Sequence, residues 1–195
     1  MAVIGLTGSF GTGKTFVASL FKRLGAKVID ADRLAHRCLA RNSRAYKKIV
    51  AFFGERVLDG RHNIDRRALG RIVFDDERKL KKLCAITHPE VIRAAKKEIA
   101  KSPKGRIIVI DAPLLIEANL AGAVDALVVV TSSRKKQVER CMKKFGMAKG
   151  EVYKRIRRQM PLAKKVKLAD FIIDNNSSRS QTRRQVAAIW RKVWK

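Results

Sequence analysis

The sequence predicts an α/β fold built on a parallel β-sheet, with a phosphate-binding loop after the first strand. Three observations support this prediction. An apolar strand, Val3-Ile4-Gly5-Leu6, leads into a glycine-rich segment at residues 8–15. A helical pattern follows that segment directly. A later segment, residues 106–111, has the continuous apolar character of a central parallel strand and ends in an acidic residue.

The glycine-rich segment has the spacing of a P-loop, G-x-x-x-x-G-K-[ST], between a strand and a helix. In such a loop the backbone N–H groups point inward around a polyphosphate, and glycine permits both the left-handed backbone and its close approach. Lys14 can reach the β- and γ-phosphates, while the Thr15 hydroxyl is placed for Mg²⁺. The N-terminus of the following helix also favours an anion. We therefore predict an ATP site formed by Gly8, Gly11, Gly13, Lys14 and Thr15.

The helix after the loop is predicted from its apolar spacing. Val17, Leu20, Phe21 and Leu24 fall at i, i+3, i+4 and i+7, which places them on one face. We expect this face to pack on the sheet.

Acidic residues end the next two predicted strands. Residues 26–29 form a short strand that runs into Asp30-Ala31-Asp32, and Asp111 ends the strand at residues 106–111. Ligands of open α/β sheets bind outside the carboxyl ends of the strands, so these acids should lie near the P-loop. We predict that Asp30 or Asp32 accepts a proton from an attacking hydroxyl or holds a metal-bound water, with a helix N-cap as the alternative for one of the two. Asp111 is predicted to share Mg²⁺ with Thr15.

A mainly helical insertion separates the second and third strands. Residues 34–101 show three apolar helical stripes with short breaks. Thr87-His88-Pro89-Glu90 predicts a helix start, with an N-cap, an early proline and a capping-box glutamate. We expect the insertion to bind the phosphate acceptor.

The segment after the fourth strand is strongly basic. A helix capped by Ser132 or Ser133 is predicted to direct Val138, Cys141, Met142 and Phe145 to the core. Gly146 and Gly150 frame a connection to a second basic helix, residues 151–160. A hinged basic segment suits a lid that closes over phosphates. The chain then ends with a short strand, residues 171–173, and a helix whose inward residues are Val186, Ile189, Trp190 and Val193.

Composition limits the function further. The 195 residues contain 45 Lys and Arg against 17 Asp and Glu, a net charge of +28, which indicates an anionic partner and admits non-specific nucleic-acid binding. The three cysteines are widely spaced, as expected for reduced thiols. The sequence offers neither a membrane span nor a signal peptide, so we expect a cytoplasmic protein with no membrane partner.

Several motifs together resemble the dephospho-CoA kinase family. They are I-G-L-T-G-x-x-G-x-G-K-T at the start, V-I-D-A-D-x-x-A-H at residues 28–36, I-T-H-P at 86–89, P-L-L-I-E at 113–117 and A-D-F-I-I-D-N-N at 169–176. The resemblance implies ATP-dependent phosphorylation of the 3′-hydroxyl of dephospho-CoA, the last step of coenzyme A synthesis. It also implies a single three-layer P-loop kinase domain, residues 1–195, with a five-stranded parallel sheet. The core would comprise residues 1–31, 105–143 and 169–195, with a helical CoA-binding region at 32–104 and a lid at 144–168.

The same resemblance assigns roles to individual residues. Asp32 corresponds to the general base, Arg140 to the transition-state arginine and Lys14 to the phosphate-binding lysine. The segment from Gly11 to Phe16, which includes Thr12 and Thr15, corresponds to the ATP site. The acceptor pocket would include Asp32, His88, Pro113 and Glu117. The sequence departs from the family pattern at Ser9-Phe10, at Lys144-Phe145 and after Asn175, where a glycine is missing. The lid cation therefore stays open among Lys144, Arg155 and Arg158.

Two alternatives remain at this stage. A P-loop kinase for another nucleotide-like or polynucleotide acceptor would keep the ATP site and change the insertion. A basic nucleic-acid-binding protein with a vestigial nucleotide site would explain the charge, but it has no need of Lys14, Thr15, Asp32, Asp111 and Arg140 together. We expect a monomer that binds ATP and Mg²⁺.

Overall fold

The computed structural model describes residues 2–74, 76–103 and 105–193. Its strands are β1 (Ala2–Gly8), β2 (Lys27–Asp30), β3 (Ile107–Asp111), β4 (Ala126–Thr131) and β5 (Phe171–Asp174). The helices of the first half are α1 (Lys14–Arg23), α2 (Ala31–Cys38), α3 (Arg44–Phe53), α4 (Arg66–Phe74) and α5 (Glu77–Ala100). Those of the second half are α6 (Arg134–Phe145), α7 (Lys149–Arg157), α8 (Leu162–Lys167) and α9 (Arg179–Val193).

The strands form one five-stranded parallel sheet in the order β2-β3-β1-β4-β5. The central strand β1 pairs with β3, where Leu6 lies opposite Asp111, and with β4, where Gly8 lies opposite Val130. Strands buried on both faces need apolar residues throughout, and Ile108, Val109 and Ile110 of β3 are fully buried. The predicted α/β class and the parallel sheet are confirmed.

The chain divides into two compact units. The first comprises Met1–Ile29 and Lys101–Lys195 and contains most of the sheet. Its core joins Leu6, Phe21, Val109, Val130 and Ile189. Packing of Val186 and Ile189, with the partly buried Trp190 and Val193, confirms the predicted inward face of α9. Leu24, however, is 40% exposed, because α1 ends at Arg23 and Leu24 is its C-cap.

The second unit, Asp30–Ala100, is built from α2 to α5. Its core contains Ile49, Phe53, Leu69 and Ile86. The predicted helical region spans residues 32–104, and residues 75 and 104 of that range lie outside the described residues.

The helix start predicted at Thr87 is wrong, because α5 continues through Pro89. Burial of Ile86, Val91 and Ala95 along one side of α5 outweighs the hydrogen bond that proline cannot donate. The Thr87 hydroxyl donates within the helix to the Leu83 carbonyl (2.9 Å) and does not cap a new one.

The predicted inward face of α6 is partly wrong. Val138 and Cys141 are buried, but Met142 is 44% and Phe145 is 54% exposed. Gln137 takes an inward position instead, and its side-chain amide donates to the Ser132 carbonyl (2.7 Å). Sequence hydrophobicity could not indicate this, since the inward residue is polar.

The connection after α6 contains one of the two predicted glycines. Gly146 is the C-cap of α6 in the left-handed conformation (φ 63°), which glycine adopts readily. Gly150 lies inside α7. Within the described residues, no helix has both the length and the apolar character to cross a membrane.

Candidate active site

The P-loop links β1 to α1 and turns on two glycines in the left-handed region. Gly11 has φ 82° and Gly13 has φ 91°, as predicted. Gly8 is different, because it belongs to β1 and does not have a positive φ. A Cβ on Gly8 would lie 2.7 Å from the Thr12 hydroxyl and from the Val130 carbonyl oxygen, so glycine is required there for space.

Thr12 stabilises the loop from inside. Its backbone N–H (3.2 Å) and its hydroxyl (2.9 Å) both donate to the Ser9 carbonyl. Its own carbonyl accepts from the side-chain amide of Asn175 (2.8 Å) and from the Arg140 guanidinium (3.3 Å). The loop is therefore held by residues from two distant parts of the chain.

Arg140 projects from α6 into this region. Besides the Thr12 carbonyl, its guanidinium donates to the Ser132 hydroxyl (3.2 Å) and to the Asn175 carbonyl (2.7 Å). A guanidinium has five N–H donors in a fixed plane, so it can hold these acceptors and present further donors to a phosphate. The structure thus brings the predicted transition-state arginine directly against the P-loop.

Lys14 and Asp111 form an ion pair beside the loop. Their side chains are only 15% and 13% exposed, and Asp111 ends β3 next to β1. Asp111 was predicted to share Mg²⁺ with Thr15, and its contact with Lys14 was not predicted. When a phosphate binds, the Lys14 ammonium can leave Asp111 and pair with the phosphate.

The oxygen donors of Thr15 and Asp111 fit a hard divalent cation. Thr15 is exposed in the first turn of α1, and Asp111 ends the adjacent strand. The described part of the chain contains no cluster of three or more His, Cys, Asp or Glu side chains suited to a metal. This donor set matches Mg²⁺, which commonly binds through one or two protein oxygens together with substrate phosphates and water.

The segment after β3 is attached to α8 by a buried lysine. Lys165 is 0% exposed, and its ammonium donates to the Pro113 carbonyl (2.6 Å) and contacts the Glu117 carboxylate (2.9 Å). Glu117 also accepts from the Met160 backbone N–H (2.9 Å). Burial lowers the pKa of Lys165, and the hydrogen bond and charge of Glu117 oppose part of that shift. Pro113 and Glu117, predicted for the acceptor pocket, thus contact residues of the predicted lid, Met160 and Lys165.

We expect Glu117→Ala to destabilise the protein by roughly 3 kcal/mol, because it leaves a buried ammonium without its counter-charge. Lys165→Met with Glu117→Ala should recover most of this loss, because the double variant removes both charges. Urea unfolding measures each variant, and Lys164→Met, at an exposed neighbouring lysine, is the control. Equal unfolding free energies for Glu117→Ala and wild type would contradict a stabilising ion pair.

Gln159 and Phe10 connect the predicted lid to the P-loop. The Phe10 backbone N–H donates to the Gln159 side-chain oxygen (2.8 Å). The Phe10 ring stacks on Phe145 (centroids 5.9 Å apart), and the Arg155 guanidinium lies over it at 5.3 Å. Two of the three departures from the family pattern, those at Phe10 and Phe145, therefore contact each other.

Phe16, predicted for the ATP site, lies on α1 after the loop. Its ring packs against the core of the first unit, and the Arg179 guanidinium lies over it at 5.6 Å. A nucleotide contact by its backbone is consistent with this placement.

Asp32 and His88 belong to the second unit. Asp30, and not Asp32, is the N-cap of α2, and it accepts from the Arg33 N–H (3.0 Å). Asp32 is exposed in the first turn of α2, two residues after β2. His88 is partly buried within α5, and this burial lowers its pKa.

Sequence reasoning missed three residues that hold the site: Asn175, Gln159 and Lys165. Asn175 lies in the A-D-F-I-I-D-N-N motif at residues 169–176, but nothing in the sequence indicated a role for it. The available signal was a carboxamide directly after the carboxyl end of a strand. The order of strands that brings Asn175 to the P-loop cannot be inferred from the neighbouring sequence.

Comparison with known proteins identifies the family. The sequence model for dephospho-CoA kinase matches residues 2–181. The chain belongs to the dephospho-CoA kinase family. The dephospho-CoA kinase of Carboxydothermus hydrogenoformans is 43% identical over 100% of this chain and 95% of its own.

Two solved structures are similar to this chain over nearly its full length. The Thermus thermophilus protein TT1252 has a TM-score of 0.86 at 32% identity, covering 98% of this chain and 97% of its own. The dephospho-CoA kinase from Campylobacter jejuni has a TM-score of 0.69 at 26% identity, covering 98% and 96%. Membership of the dephospho-CoA kinase family confirms the resemblance and the predicted P-loop kinase fold.

Proposed function

We propose that this chain transfers the γ-phosphate of ATP to the 3′-hydroxyl of dephospho-CoA, giving coenzyme A and ADP. Membership of the dephospho-CoA kinase family supports the acceptor and disfavours both alternatives. The observation that carries the proposal is the Lys14–Asp111 pair beside a P-loop that Arg140 contacts. This arrangement retains the charged groups that phosphoryl transfer needs, which a vestigial site would not require.

On the ATP side, the residues bind and orient the phosphates. The left-handed turns at Gly11 and Gly13 direct backbone N–H groups toward an anion. Lys14 exchanges Asp111 for the β- and γ-phosphates, and Arg140 places its remaining donors against the transferred group. Thr15 and Asp111 would hold Mg²⁺, which when bound would neutralise part of the phosphate charge.

On the acceptor side, Asp32 is the proposed base. Its carboxylate takes the proton as the 3′-oxygen bonds to the γ-phosphorus, and the bond from that phosphorus to the departing ADP oxygen breaks. His88, Pro113 and Glu117 are proposed to shape the acceptor pocket, Glu117 through its contact with Lys165. Gln159 holds the lid on the P-loop, where closure excludes water.

The test is transfer of radiolabelled γ-phosphate from Mg-ATP. Dephospho-CoA is offered beside AMP, CMP, adenosine and a 5′-hydroxyl oligonucleotide. We expect rapid labelling of dephospho-CoA and little labelling of the others. Labelling of another acceptor in its place would reject the proposed substrate.

The charge of +28 also supports non-specific binding of nucleic acid. In that case duplex binding weakens with salt, with a log–log slope of about −0.9 per phosphate contacted. Fluorescence anisotropy at several salt concentrations measures the slope without ATP or dephospho-CoA.

We further propose that the enzyme acts as a monomer in the cytoplasm, where ATP is supplied.

A further inference from the structure

The peptide between Thr12 and Gly13 is held in one orientation. Its carbonyl accepts two hydrogen bonds, from the Asn175 amide (2.8 Å) and the Arg140 guanidinium (3.3 Å). A trans peptide is planar, so its N–H points opposite to its C=O. Fixing the Thr12 carbonyl against these donors therefore directs the Gly13 N–H away from them. If the peptide flipped, a carbonyl oxygen would replace that N–H donor.

Asn175 is itself immobilised at both ends. Its side-chain oxygen accepts from the Thr182 hydroxyl (2.9 Å), and its backbone N–H donates to the Thr131 carbonyl (2.9 Å). Asn175 is only 6% exposed and Thr182 is 0% exposed. A carbonyl can only accept, so the carboxamide atom beside Thr12 must be its NH₂ group. The position thus requires a donor, which a carboxylate of the same shape cannot supply.

The contact is close enough to restrict Gly13. A Cβ on that residue would lie 2.1 Å from the Asn175 amide nitrogen. Gly13 also has φ 91°, which side chains rarely adopt. Asn175 and Gly13 therefore fit each other as a pair.

We propose that Asn175 is a positioning residue for ATP, and that it holds the Thr12–Gly13 peptide so that the Gly13 N–H binds a phosphate. Thr182 orients Asn175 for this role. The inference rests on the proposed function only in taking ATP as the phosphate donor. It does not depend on the acceptor.

The test is ATP binding by Asn175→Asp, measured by calorimetry with a non-hydrolysable ATP analogue and Mg²⁺, and without dephospho-CoA. We expect affinity to fall about 10-fold or more, because an oxygen faces the Thr12 carbonyl and the donor is lost. In ¹⁵N-glycine-labelled protein, nucleotide should shift the Gly13 amide signal strongly in wild type and weakly in the variant. In kinetics, the KM for ATP should rise more than the KM for dephospho-CoA.

Gln185→Ala is the matched control. Gln185 holds the same loop through the backbone N–H (2.8 Å) and carbonyl (2.9 Å) of Asp174, while its bonds do not involve the P-loop. The nucleotide affinity of Gln185→Ala should lie within 2-fold of the wild-type value. Equal losses in Asn175→Asp and Gln185→Ala would show that the loop matters only for stability and would overturn the proposal.

Thr182→Val and Thr182→Ser keep the test decisive if Asn175→Asp does not fold. The valine variant lacks the hydroxyl that anchors Asn175, whereas serine retains it. We expect about 3-fold weaker nucleotide binding for valine and recovery with serine. Wild-type nucleotide affinity in a folded Asn175→Asp or Thr182→Val protein would reject the positioning role, even if the acceptor proved to be another molecule.

Discussion

Asp32→Asn is expected to lower turnover by about 10²-fold or more while leaving ATP affinity near normal. Asparagine keeps the size of the side chain but cannot take a proton from the attacking hydroxyl. Asp32 is exposed in the first turn of α2. Steady-state kinetics with dephospho-CoA, together with calorimetric ATP binding, separates the chemical step from nucleotide affinity.

Asp30→Asn is the matched control for this prediction. Asp30 caps α2 by accepting from the Arg33 N–H, and asparagine caps helices about equally well. Turnover and stability should therefore stay close to wild type. A large loss in Asp30→Asn with little change in Asp32→Asn would move the base from the second acid to the first.

The sequence predicted best what depends on short segments. The P-loop occupies eight consecutive residues between a strand and a helix, so its spacing is visible without knowledge of the fold. Asp111 was found because an acid after a buried strand has a defined position once the sheet is parallel. The same local reasoning placed the N-cap of α6 at Ser132 or Ser133, and Ser133 is that cap.

The contacts that hold the site were not predictable in this way. Asn175 reaches Thr12 across 163 positions of sequence, and Gln159 reaches Phe10 across 149. Lys165 resembles the other lysines in a basic segment, yet it is fully buried against Glu117. Such partners follow from the order of strands in the sheet and the packing of α8. Hydrophobic periodicity carries no information about polar pairs of this kind.

Lys14→Ala is expected to reduce kcat/KM by about 10³-fold, with losses in both ATP affinity and turnover. The proposed role of Lys14 is to supply positive charge to the β- and γ-phosphates before and during transfer. The substitution also leaves Asp111 without its partner, and an unpaired carboxylate next to the P-loop repels a polyphosphate. The effect should thus exceed the loss of one attractive contact.

The contribution of repulsion by the Asp111 carboxylate can be measured by adding Asp111→Asn to Lys14→Ala. In the absence of Mg²⁺, removal of this carboxylate should restore part of the nucleotide affinity. With Mg²⁺ present, turnover should stay low, because asparagine is a weaker metal donor than aspartate. Lys22→Ala, at an exposed lysine in the last turn of α1, controls for the loss of one positive charge. This variant should keep the ATP affinity and the turnover of the wild type. If Lys14→Ala retained normal ATP affinity, the Lys14–Asp111 pair would be a structural ion pair, and the phosphate contacts would have to come from the backbone and Arg140.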